Sequence, residues 1–532
     1  MKNWKLLIGC LALMLVGLAV YLIKPWGHFP LNDDWVYTAD VLETLKNKHF
    51  TIPFGQYAWA IPQILLGLWV GSFKGYSHFI LFRGVGLISG VLAGFFSVHI
   101  ASDGLQRFEN DKWKLFLKLL GFGCVFFYPA FLSVTFSFMT DTLAALFMCW
   151  GIMAASRYIE RPSWSNWAIA FLAALLGVAQ RQYLFLVPIS LIIIYWRKHI
   201  QVASVDLRES FRRLSLKQGL QLVLFLMPVP LIHLWWRTVS PLSSAPLDLL
   251  PNLQVLQRPY EYAFYLGLAF LSTIFLPIYP AGEFQEKYKK IFRRLIVGIL
   301  FITAIILVLG LGMPFYQNIL SKFGVFGFNE VLLGTREVIL TMPIRSILTV
   351  LSFLGAYRLL VGLFLSLADS KISTRVQLLF LFSLLYFGSL FLRNGRLDRY
   401  FILLFPGCLY LIYRSISEIR MSFKRQVATG VLFLSYFLFS TTLISDYFRW
   451  NEARWKVIAL ALDKHQVESK DLNGGYEFCG PAEEHPWSWK EKRKYPYVVS
   501  FSKLPGFEVI DEVNYPSSWG TAKNVMYLLK SN

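Results

Sequence analysis

The sequence has few charged residues. Asp, Glu, Lys and Arg together make up 16% of its 532 residues, whereas a soluble domain usually carries about a quarter. Apolar residues make up 56% of the chain, and the mean hydropathy is +0.50. This shortage of charge excludes an ordinary soluble globular protein and indicates a chain embedded in lipid.

Cysteine and histidine are also scarce. The five cysteines are scattered, four of them in apolar segments, so the sequence predicts neither a disulfide framework nor a cysteine-type zinc site. The eight histidines form no HExxH or similar cluster, which argues against a zinc protease. No Asn-x-Ser/Thr sequon occurs, and this absence favours a bacterial protein over a lumenal eukaryotic one.

Long apolar runs are abundant instead. A chain in lipid must satisfy its backbone hydrogen bonds internally, as helices or as a closed barrel, and continuous runs favour helices. Counting segments suited to a crossing of about 20 residues predicts an α-helical, polytopic membrane protein with about 13 transmembrane helices. The predicted spans are Leu6–Ile23, Phe79–Ala101, Leu115–Phe131, Thr142–Arg157, Trp167–Gln180, Tyr183–Trp196, Leu220–Trp236, Tyr262–Pro280, Leu295–Leu311, Ile344–Leu367, Val376–Leu392, Tyr400–Tyr413 and Val427–Ile444.

The N-terminal segment Met1–Ile23 contains Lys2 and Lys5 followed by an apolar run. This run is long for the apolar region of a cleaved signal peptide, and no small-x-small site precedes Lys24. We therefore interpret the segment as an uncleaved first span.

The net charge of +20 would suit a nucleic-acid-binding protein. With the N-terminus in the cytoplasm, however, every predicted inner loop is basic, as the positive-inside rule requires. The sequence therefore predicts no nucleic-acid partner, and it predicts a bacterial inner-membrane protein with a cytoplasmic N-terminus and an extracytoplasmic C-terminus. The outer side then holds four long pieces: Lys24–His78, Thr238–Glu261, Pro314–Pro343 and Ser445–Asn532.

These assignments divide the chain into two parts. Residues 1–444 are predicted to form the transmembrane domain, with a first outer loop at 24–78, and residues 445–532 a small mixed α+β extracytoplasmic domain. Within this tail, Asn451–Lys464 is predicted as a helix and Tyr497–Ser502 as a short strand. Packing over the outer loops is the favoured role of the tail, with acceptor recognition as the alternative.

Two adjacent carboxylates, Asp33 and Asp34, stand in the first outer loop. Asn32 or Asp33 could cap the helix that follows, because such side chains accept a hydrogen bond from an early backbone N–H. Capping would use only one carboxylate of the two. A carboxylate at the membrane surface can also act as a general base towards a substrate hydroxyl.

The helix after this pair is predicted to be amphipathic and to lie at the membrane surface. Its apolar face would carry Trp35, Ala39, Leu42 and Leu45, with Asp40, Glu43 and Lys46 elsewhere. A second outer segment of this kind, Gln56–Val70, contains Trp59 and Trp69, whose rings favour the membrane interface.

Further ionisable residues are predicted on the same side of the membrane. Asp141 lies at the outer end of a span, where Asp141 or Thr140 could cap a helix. Arg181 and Gln182 occupy an outer turn, where Arg181 could simply snorkel. Three more outer arginines run against the positive-inside trend, and a bound phosphate would explain them. They are Arg393, Arg396 and Arg399, flanked by Asp398 and Tyr400.

Taken together, these short motifs resemble the GT-C glycosyltransferases. The similarity is greatest to bacterial relatives of protein O-mannosyltransferases and lipid A aminoarabinose transferases. The motifs are Asp-Asp-Trp-Val-Tyr after the first span, Ser-Phe-Met-Thr-Asp141, Arg181-Gln182, Asp398-Arg-Tyr400 and, in the tail, Gly474-Gly-Tyr-Glu477.

The resemblance implies a polyprenyl-phosphate sugar as donor, an acidic base in the first outer loop and inversion at the sugar. It places Asp33 and Asp34 at the position of that acidic pair and Tyr37 at a family tyrosine. This chain departs from the pattern, since Asp34 stands where relatives often have Glu.

The expected reaction needs a base for the acceptor hydroxyl and positive charge for the lipid-phosphate leaving group. Asp33 is the expected base and Asp34 the second candidate. No cofactor is certain, and a divalent metal could replace an arginine. The expected substrate-binding residues are Tyr37, Asp141, Arg181, Gln182, Arg393, Arg396, Arg399 and Tyr400.

Two other function classes compete with this enzyme. A transporter or flippase of lipid-linked saccharides should carry charged residues inside its spans. The main candidates, Lys118 and Arg358, fall towards the inner side, where snorkelling explains them. A membrane scaffold would not depend on the outer carboxylates at all. The enzyme is therefore favoured, with a glycan, a lipid or a protein hydroxyl as acceptor.

Overall fold

Helices dominate the computed structural model of the chain. It describes residues 2–50, 58–73, 78–199, 216–239, 258–278, 298, 315, 319–326, 331–369, 372–392, 398–417, 421–479, 495–517 and 524–532. The α-helices are α1 (Lys2–Ile23), α2 (Asp34–Asn47), α3 (Ile61–Gly71), α4 (His78–Ala101), α5 (Asp111–Phe126), α6 (Pro129–Thr135), α7 (Thr140–Glu160), α8 (Trp164–Gln180), α9 (Leu186–His199), α10 (Leu216–Leu224), α11 (Pro228–Val239), α12 (Arg258–Ala269), α13 (Met342–Leu367), α14 (Thr374–Leu392), α15 (Phe405–Ser415), α16 (Phe423–Ala459) and α17 (Tyr476–Cys479).

Short helical turns and strands complete the described structure. The 3-10 turns are Ser102–Leu105, Gln182–Phe185, Leu271–Thr273, Asp398–Leu404 and Ser469–Asp471, and Leu460–Lys464 is a π-helical turn. The strands are β1 (Leu320–Ser321), β2 (Gly324–Val325), β3 (Leu472–Asn473), β4 (Tyr497–Ser500), β5 (Phe507–Tyr515) and β6 (Asn524–Ser531).

Six of the described helices are long and apolar enough to cross a membrane, or seven if a bent pair counts as one span. This confirms the predicted polytopic helical membrane architecture. The count of about 13 stays a prediction, because several predicted spans correspond to shorter apolar helices such as α8. Apart from residue 298, the predicted span Leu295–Leu311 lies outside the described residues.

The bent pair consists of α5 and α6, which meet at an angle of 73°. Pro129 opens α6, and a proline has no N–H to continue the preceding helix. The predicted span Leu115–Phe131 is therefore bent near its end, and the bent pair counts either as one broken span or as a re-entrant segment. All seven residues of α6 are buried, and the chain leads from its end directly into α7.

Close packing fixes this connection between α6 and α7. A Cβ atom at Gly86 of α4 would lie 2.3 Å from the carbonyl oxygen of Ser137 and 2.8 Å from that of Thr135. Only glycine permits such a close approach, as small residues do at helix contacts within membranes. The turn before α7, and with it Asp141, is therefore held against α4.

The predicted amphipathic helix exists as α2, but its faces are arranged differently from the simple expectation. Tyr37, Asp40 and Thr44 are buried, whereas Leu45 is 37% exposed. Trp35 was predicted on the apolar outer face and is instead buried, with its ring 5.9 Å from that of Tyr476 in edge-on contact. The face of α2 that packs against the protein therefore carries both polar and apolar side chains.

The tail forms a small sheet with the strand order β3-β4-β6-β5, in which β3 and β4 are parallel and the other pairs antiparallel. Strand β4 confirms the strand predicted at Tyr497–Ser502. The helix predicted at Asn451–Lys464 is the continuation of α16, which runs without a break past residue 444. At 1.5 Å per residue, this 37-residue helix is about 55 Å long.

Candidate active site

The turn before α2 determines what the two adjacent carboxylates can do. Asn32 has a φ of +48°, in the left-handed region that asparagine tolerates better than most residues. Asp34 accepts a hydrogen bond of 2.5 Å from the backbone N–H of Leu31. Asp33 immediately precedes α2, but its side chain makes no capping hydrogen bond, so the capping interpretation of Asp33 is wrong.

Asp33 instead contacts residues from two distant parts of the chain. Arg399 Nη2 donates to Asp33 Oδ2 at 3.0 Å, and the hydroxyl of Tyr476 donates to Oδ1 at 3.1 Å. The side chain of Asp33 remains 30% exposed, whereas that of Arg399 is 8% exposed. Asp33 is therefore held in place and still accessible from outside the protein.

Asp141 and Arg181 form a second ion pair. Arg181 Nη2 donates to Asp141 Oδ2 at 3.2 Å, and both side chains are buried. Neither Asp141 nor Thr140 makes a side-chain capping bond at the start of α7, whose preceding residue is Met139. The capping interpretation of Asp141 and the snorkelling interpretation of Arg181 are therefore both wrong.

The two ion pairs lie close enough to affect each other. Burial lowers the pKa of Arg399, but the negative charges of Asp141 and Asp33 outweigh it and raise this pKa above its ordinary value. Burial likewise opposes the charge of Arg181, while Asp141 and nearby tyrosines raise its pKa well above normal. Both guanidiniums therefore keep their positive charge.

Tyr37 and Tyr400 border the same group. Burial raises the pKa of Tyr37, which also responds to the charges of Arg181, Asp33 and Arg399. Tyr400 is buried and acts on both arginines. We call the group of Asp33, Tyr37, Asp141, Arg181, Arg399, Tyr400 and Tyr476 the Asp33 cluster.

The remaining predicted site residues have other positions. Gln182 opens the 3-10 turn that follows Arg181 and is partly buried. Arg393 and Arg396 lie outside the described residues. Asp398 is buried and accepts backbone hydrogen bonds from Ile319 and Leu320.

Asp398 is thus engaged with the protein's own backbone. Burial raises its pKa to about 6, and the hydrogen bonds from Leu320 and Ile319 oppose this rise. Its contacts tie the segment at 319–326 to the turn that carries Arg399.

Sequence reasoning missed Arg83, which lies inside a predicted span. It is buried, and its guanidinium donates to the backbone carbonyls of Pro25, Gly27 and Phe29. These bonds order the stretch that leads into Asp33. An arginine within an apolar run is itself a signal of function or structure, since such a charge is costly in lipid.

The tail contributes a second set of contacts to the first outer loop. Glu477 accepts a hydrogen bond of 2.9 Å from the backbone N–H of Asn32 and forms a buried ion pair of 2.5 Å with Arg454. Arg454 Nε also donates to the carbonyl of Gly474 at 2.7 Å. Gly475 has a φ of +89°, a conformation that favours glycine. We call Asn32, Asp34, Arg83, Arg454 and Glu477 the Glu477 cluster.

Asp34 belongs to the Glu477 cluster by its environment. It is 1% exposed. Burial raises its pKa to about 8, and the positive charge of Arg83 opposes the rise. Asp33 and Asp34, although adjacent in sequence, therefore point into different surroundings, and Asp33 is the accessible one.

Metal binding has no specific support in the described ranges. Among these residues no group of three or more His, Cys, Asp or Glu lies close enough together to hold a metal ion. Asp33 and Asp141 are each paired with an arginine. That a divalent ion could replace an arginine stays a prediction.

Comparison with known proteins finds similarity only at the level of solved structures. No family model and no curated protein matches the chain. ArnT from Cupriavidus metallidurans bound to undecaprenyl phosphate is 11% identical, with a TM-score of 0.42 over 87% of this chain and 73% of that one. The archaeal oligosaccharyltransferase AglB from Archaeoglobus fulgidus, in complex with an inhibitory peptide and a dolichol-phosphate, is 13% identical, with a TM-score of 0.41 over 93% of this chain and 61% of that one. The structure of ArnT in the apo state is 10% identical, with a TM-score of 0.41 over 99% and 98% of the two chains.

Proposed function

We propose that this chain is an inverting glycosyltransferase that moves a sugar from a polyprenyl-phosphate donor to an extracytoplasmic hydroxyl. The observation that carries the proposal is the accessible carboxylate of Asp33, held by Arg399 and Tyr476 beside the buried Asp141–Arg181 pair. The acceptor is a glycan, a lipid or a protein of the cell envelope.

Asp33 is the proposed general base. A base must come within hydrogen-bond reach of the acceptor hydroxyl, and Asp33 is partly exposed whereas Asp34 is fully enclosed. In the proposed step, Asp33 takes the hydroxyl proton while the acceptor oxygen bonds to the anomeric carbon. The bond from that carbon to the phosphate oxygen breaks, and the phosphate leaves with the electron pair. Attack from the side opposite the phosphate inverts the sugar.

Arg399 and Arg181 are the proposed partners of the departing lipid phosphate. A guanidinium can bind phosphate through two parallel N–H donors. Within the described part of the chain, the buried Nε atoms of both arginines have no hydrogen-bond partner. Such unpaired buried donors are costly, and a bound phosphate that reorganises the cluster would satisfy them. Positive charge placed where negative charge develops lowers the barrier.

The proposed location is the bacterial inner membrane, with the Asp33 cluster at the extracytoplasmic face. The helices capable of crossing a membrane support a multi-pass protein. The exposed apolar residues on α2 and α3, Leu45, Leu65 and Trp69, would contact lipid at the depth of the donor phosphate.

A lipid-linked saccharide flippase is the alternative function. The expectation that Arg358 snorkels is wrong, because Arg358 is buried inside the helical bundle and donates to the backbone carbonyl of Leu276. A buried charge within α13 is a feature that the flippase hypothesis calls for. The enzyme remains favoured, because the Asp33 cluster combines a base with two cations.

The deciding experiment measures transfer from radiolabelled polyprenyl-phosphate sugars in membranes that contain the wild type, Asp33→Asn or Asp34→Asn. Loss of a general base costs about 10²–10⁴-fold in rate, and this loss is expected for Asp33→Asn. Asp34→Asn serves as the matched control. With its pKa near 8, Asp34 is largely protonated at neutral pH, and asparagine resembles that form.

The outcomes separate the hypotheses. Equal transfer by all three proteins would refute the assigned mechanism. If only Asp34→Asn loses transfer while that variant accumulates normally in the membrane, the general base is Asp34 and not Asp33. If no donor sugar is consumed but lipid-linked saccharide crosses the membrane, the flippase replaces the enzyme.

A further inference from the structure

A second charged site lies at the other end of α7 from Asp141. It is a cavity of about 320 Å³, near the lower end of the size range of small-ligand pockets. Arg157 lies sixteen residues after Asp141 on α7, which corresponds to about 24 Å along the helix axis. This cavity is therefore separate from the Asp33 cluster and, if α7 spans the membrane, opens at the opposite face.

Three arginines from different parts of the fold line the cavity. Arg157 comes from the end of α7, Arg161 from the α7–α8 turn and Arg375 from the start of α14. Within the described residues, neither Arg157 nor Arg161 makes a side-chain hydrogen bond or ion pair. Arg375 lies 3.7 Å from Asp103, a long ion-pair distance.

The rest of the lining adds little negative charge. Glu160 is the only acidic lining residue that the structure describes, and it accepts a hydrogen bond from Ser156 at 3.4 Å. His99, at the end of α4, faces the same space. With three arginines against one carboxylate, the lining carries a net positive charge, of which, in the described structure, only Arg375 has an acidic neighbour, Asp103, outside the lining.

The turn that presents Arg161 is well ordered by local hydrogen bonds. Ser163 caps α8 by accepting from the backbone N–H of Asn166 at 3.2 Å. The side-chain amide of Asn166 donates to the carbonyl of Arg161 at 2.7 Å. The position of Arg161 at the cavity is thus set by its backbone and does not depend on a partner for its side chain.

The residues beside the cavity suit a position at the level of lipid headgroups. Trp164, at the start of α8, is 56% exposed, and Ile169 and Leu172 further along the same helix are also exposed. Tryptophan favours the interface between water and hydrocarbon, and the exposed apolar residues beyond it suit the hydrocarbon. A ligand in the cavity could therefore belong to a lipid of that leaflet.

We propose that this cavity binds a phosphate group, supplied by the headgroup of an anionic phospholipid. Arginines pair with phosphate oxygens through two N–H donors each, and Arg157 and Arg161 have these donors uncommitted. Inorganic phosphate has the same chemistry and is the other source of the ligand. The proposal does not rest on the glycosyltransferase function, since it involves no residue of the Asp33 cluster.

The test uses the purified full-length protein in detergent at constant ionic strength. Dihexanoyl phosphatidic acid, dihexanoyl phosphatidylcholine and inorganic phosphate are titrated separately, and the thermal unfolding midpoint reports binding. The variants are Arg157→Gln/Arg161→Gln, Arg157→Lys/Arg161→Lys and Arg425→Gln. Arg425 is an exposed arginine of α16 outside the cavity and serves as the matched control.

The expected result is a raised midpoint with phosphatidic acid for the wild type and Arg425→Gln. The glutamine double variant should need at least tenfold more ligand for the same rise. The lysine double variant should lie between the two, because lysine keeps the charge but loses the planar pair of donors.

An equal response to inorganic phosphate with the same dependence on the variants would support the site and assign a soluble ligand. Equal responses of wild type and glutamine double variant, or a response to phosphatidylcholine as strong as to phosphatidic acid, would overturn the proposal. The unliganded midpoint of each variant shows whether it is folded.

Discussion

The Asp33 cluster and the Glu477 cluster begin at adjacent residues and differ in what surrounds them. Asp33 is 30% exposed and pairs with Arg399, whereas Asp34 is 1% exposed. In the Glu477 cluster, Glu477 and Arg454 have no exposed side-chain surface. The Asp33 cluster thus has one accessible carboxylate, Asp33, whereas the Arg454–Glu477 pair of the other cluster is sealed.

This difference indicates a division of roles. Removing one partner of a sealed ion pair leaves an uncompensated buried charge, so it should chiefly affect folding. Removing a partly exposed partner allows water to compensate, so it should chiefly affect the reaction.

Breaking the sealed pair should have the largest effect on stability. Arg454→Met leaves Glu477 buried without its partner, which should lower the free energy of unfolding by about 3–5 kcal/mol. The measurement is the unfolding midpoint of the detergent-solubilised protein.

A control for this change lies on the same helix. Lys456 pairs with Glu452 at 2.9 Å, but the two side chains are 62% and 57% exposed, so Lys456→Met should cost at most about 1 kcal/mol. The double variant Arg454→Met/Glu477→Leu should recover much of the loss. Equal losses for Arg454→Met and Lys456→Met would contradict the division of roles.

Changing the cation of the Asp33 cluster should affect transfer more than folding. Arg399→Lys keeps the charge next to Asp33 but loses the planar pair of donors. Losing one charge-assisted hydrogen bond is worth about 1.5–3 kcal/mol, which corresponds to a rate reduction of roughly 10–100-fold. The measurements are sugar-transfer rate and unfolding midpoint, and a large fall in the midpoint with an unchanged rate would contradict the proposed role.

The pH dependence of stability should reveal a buried carboxyl on α2. Asp40 is fully buried, and in the described part of the chain neither of its carboxylate oxygens has a hydrogen-bond partner. Burial raises its pKa from 3.8 to about 8. Between these values the folded protein holds a proton that the unfolded chain has released, so stability falls as pH rises, by about 1 kcal/mol per pH unit.

Asp40→Asn should remove this contribution to the slope between pH 4 and 8 and make the protein relatively more stable at pH 8. The measurement is the unfolding free energy at a series of pH values. Glu43→Gln changes a carboxylate on the more exposed side of the same helix and should keep the slope. A slope unchanged by Asp40→Asn would show that Asp40 is charged in the folded protein.

The smallest of these effects should come from the tail's contact with the base. Burial and the charge of Asp33 raise the pKa of Tyr476 above its ordinary value, so its hydroxyl keeps the proton that it donates to Asp33. Tyr476→Phe removes one hydrogen bond worth about 0.5–1.5 kcal/mol. Tyr476 is a positioning residue, so kcat should fall by roughly 2–10-fold with little change in KM. A change in KM alone would indicate contact with a substrate instead.

Sequence reasoning anticipated much of the Asp33 cluster. The sequence pointed to four residues through two signals: outer arginines that contradict the positive-inside trend, and short motifs next to predicted spans. The structure brings these four residues, Asp33, Asp141, Arg181 and Arg399, together. Their roles in a reaction stay predictions. The helical architecture followed from the length and continuity of the apolar runs, which are local properties of the chain.

The Glu477 cluster was less accessible to such reasoning. Asn32 and Glu477 are separated by 445 residues, and no local pattern records a contact over that distance. Arg83 lies within an apolar run and was absorbed into a predicted span. The different surroundings of Asp33 and Asp34 also depend on the tertiary fold, because the two residues have the same side chain and adjacent positions.

The unbroken helix α16 has a consequence for how the protein could change over evolution or be engineered. It joins the predicted membrane part directly to the segment that carries Tyr476 and Glu477. A chimera that exchanges the chain after residue 459 would therefore exchange the sheet together with two contacts of the first outer loop. These are the hydrogen bond from Tyr476 to the proposed base Asp33 and the hydrogen bond from the backbone of Asn32 to Glu477. We expect that the tail and the first outer loop must be exchanged together for the chimera to keep its activity. A tail taken from a distant relative would need a first outer loop that can make the same contacts.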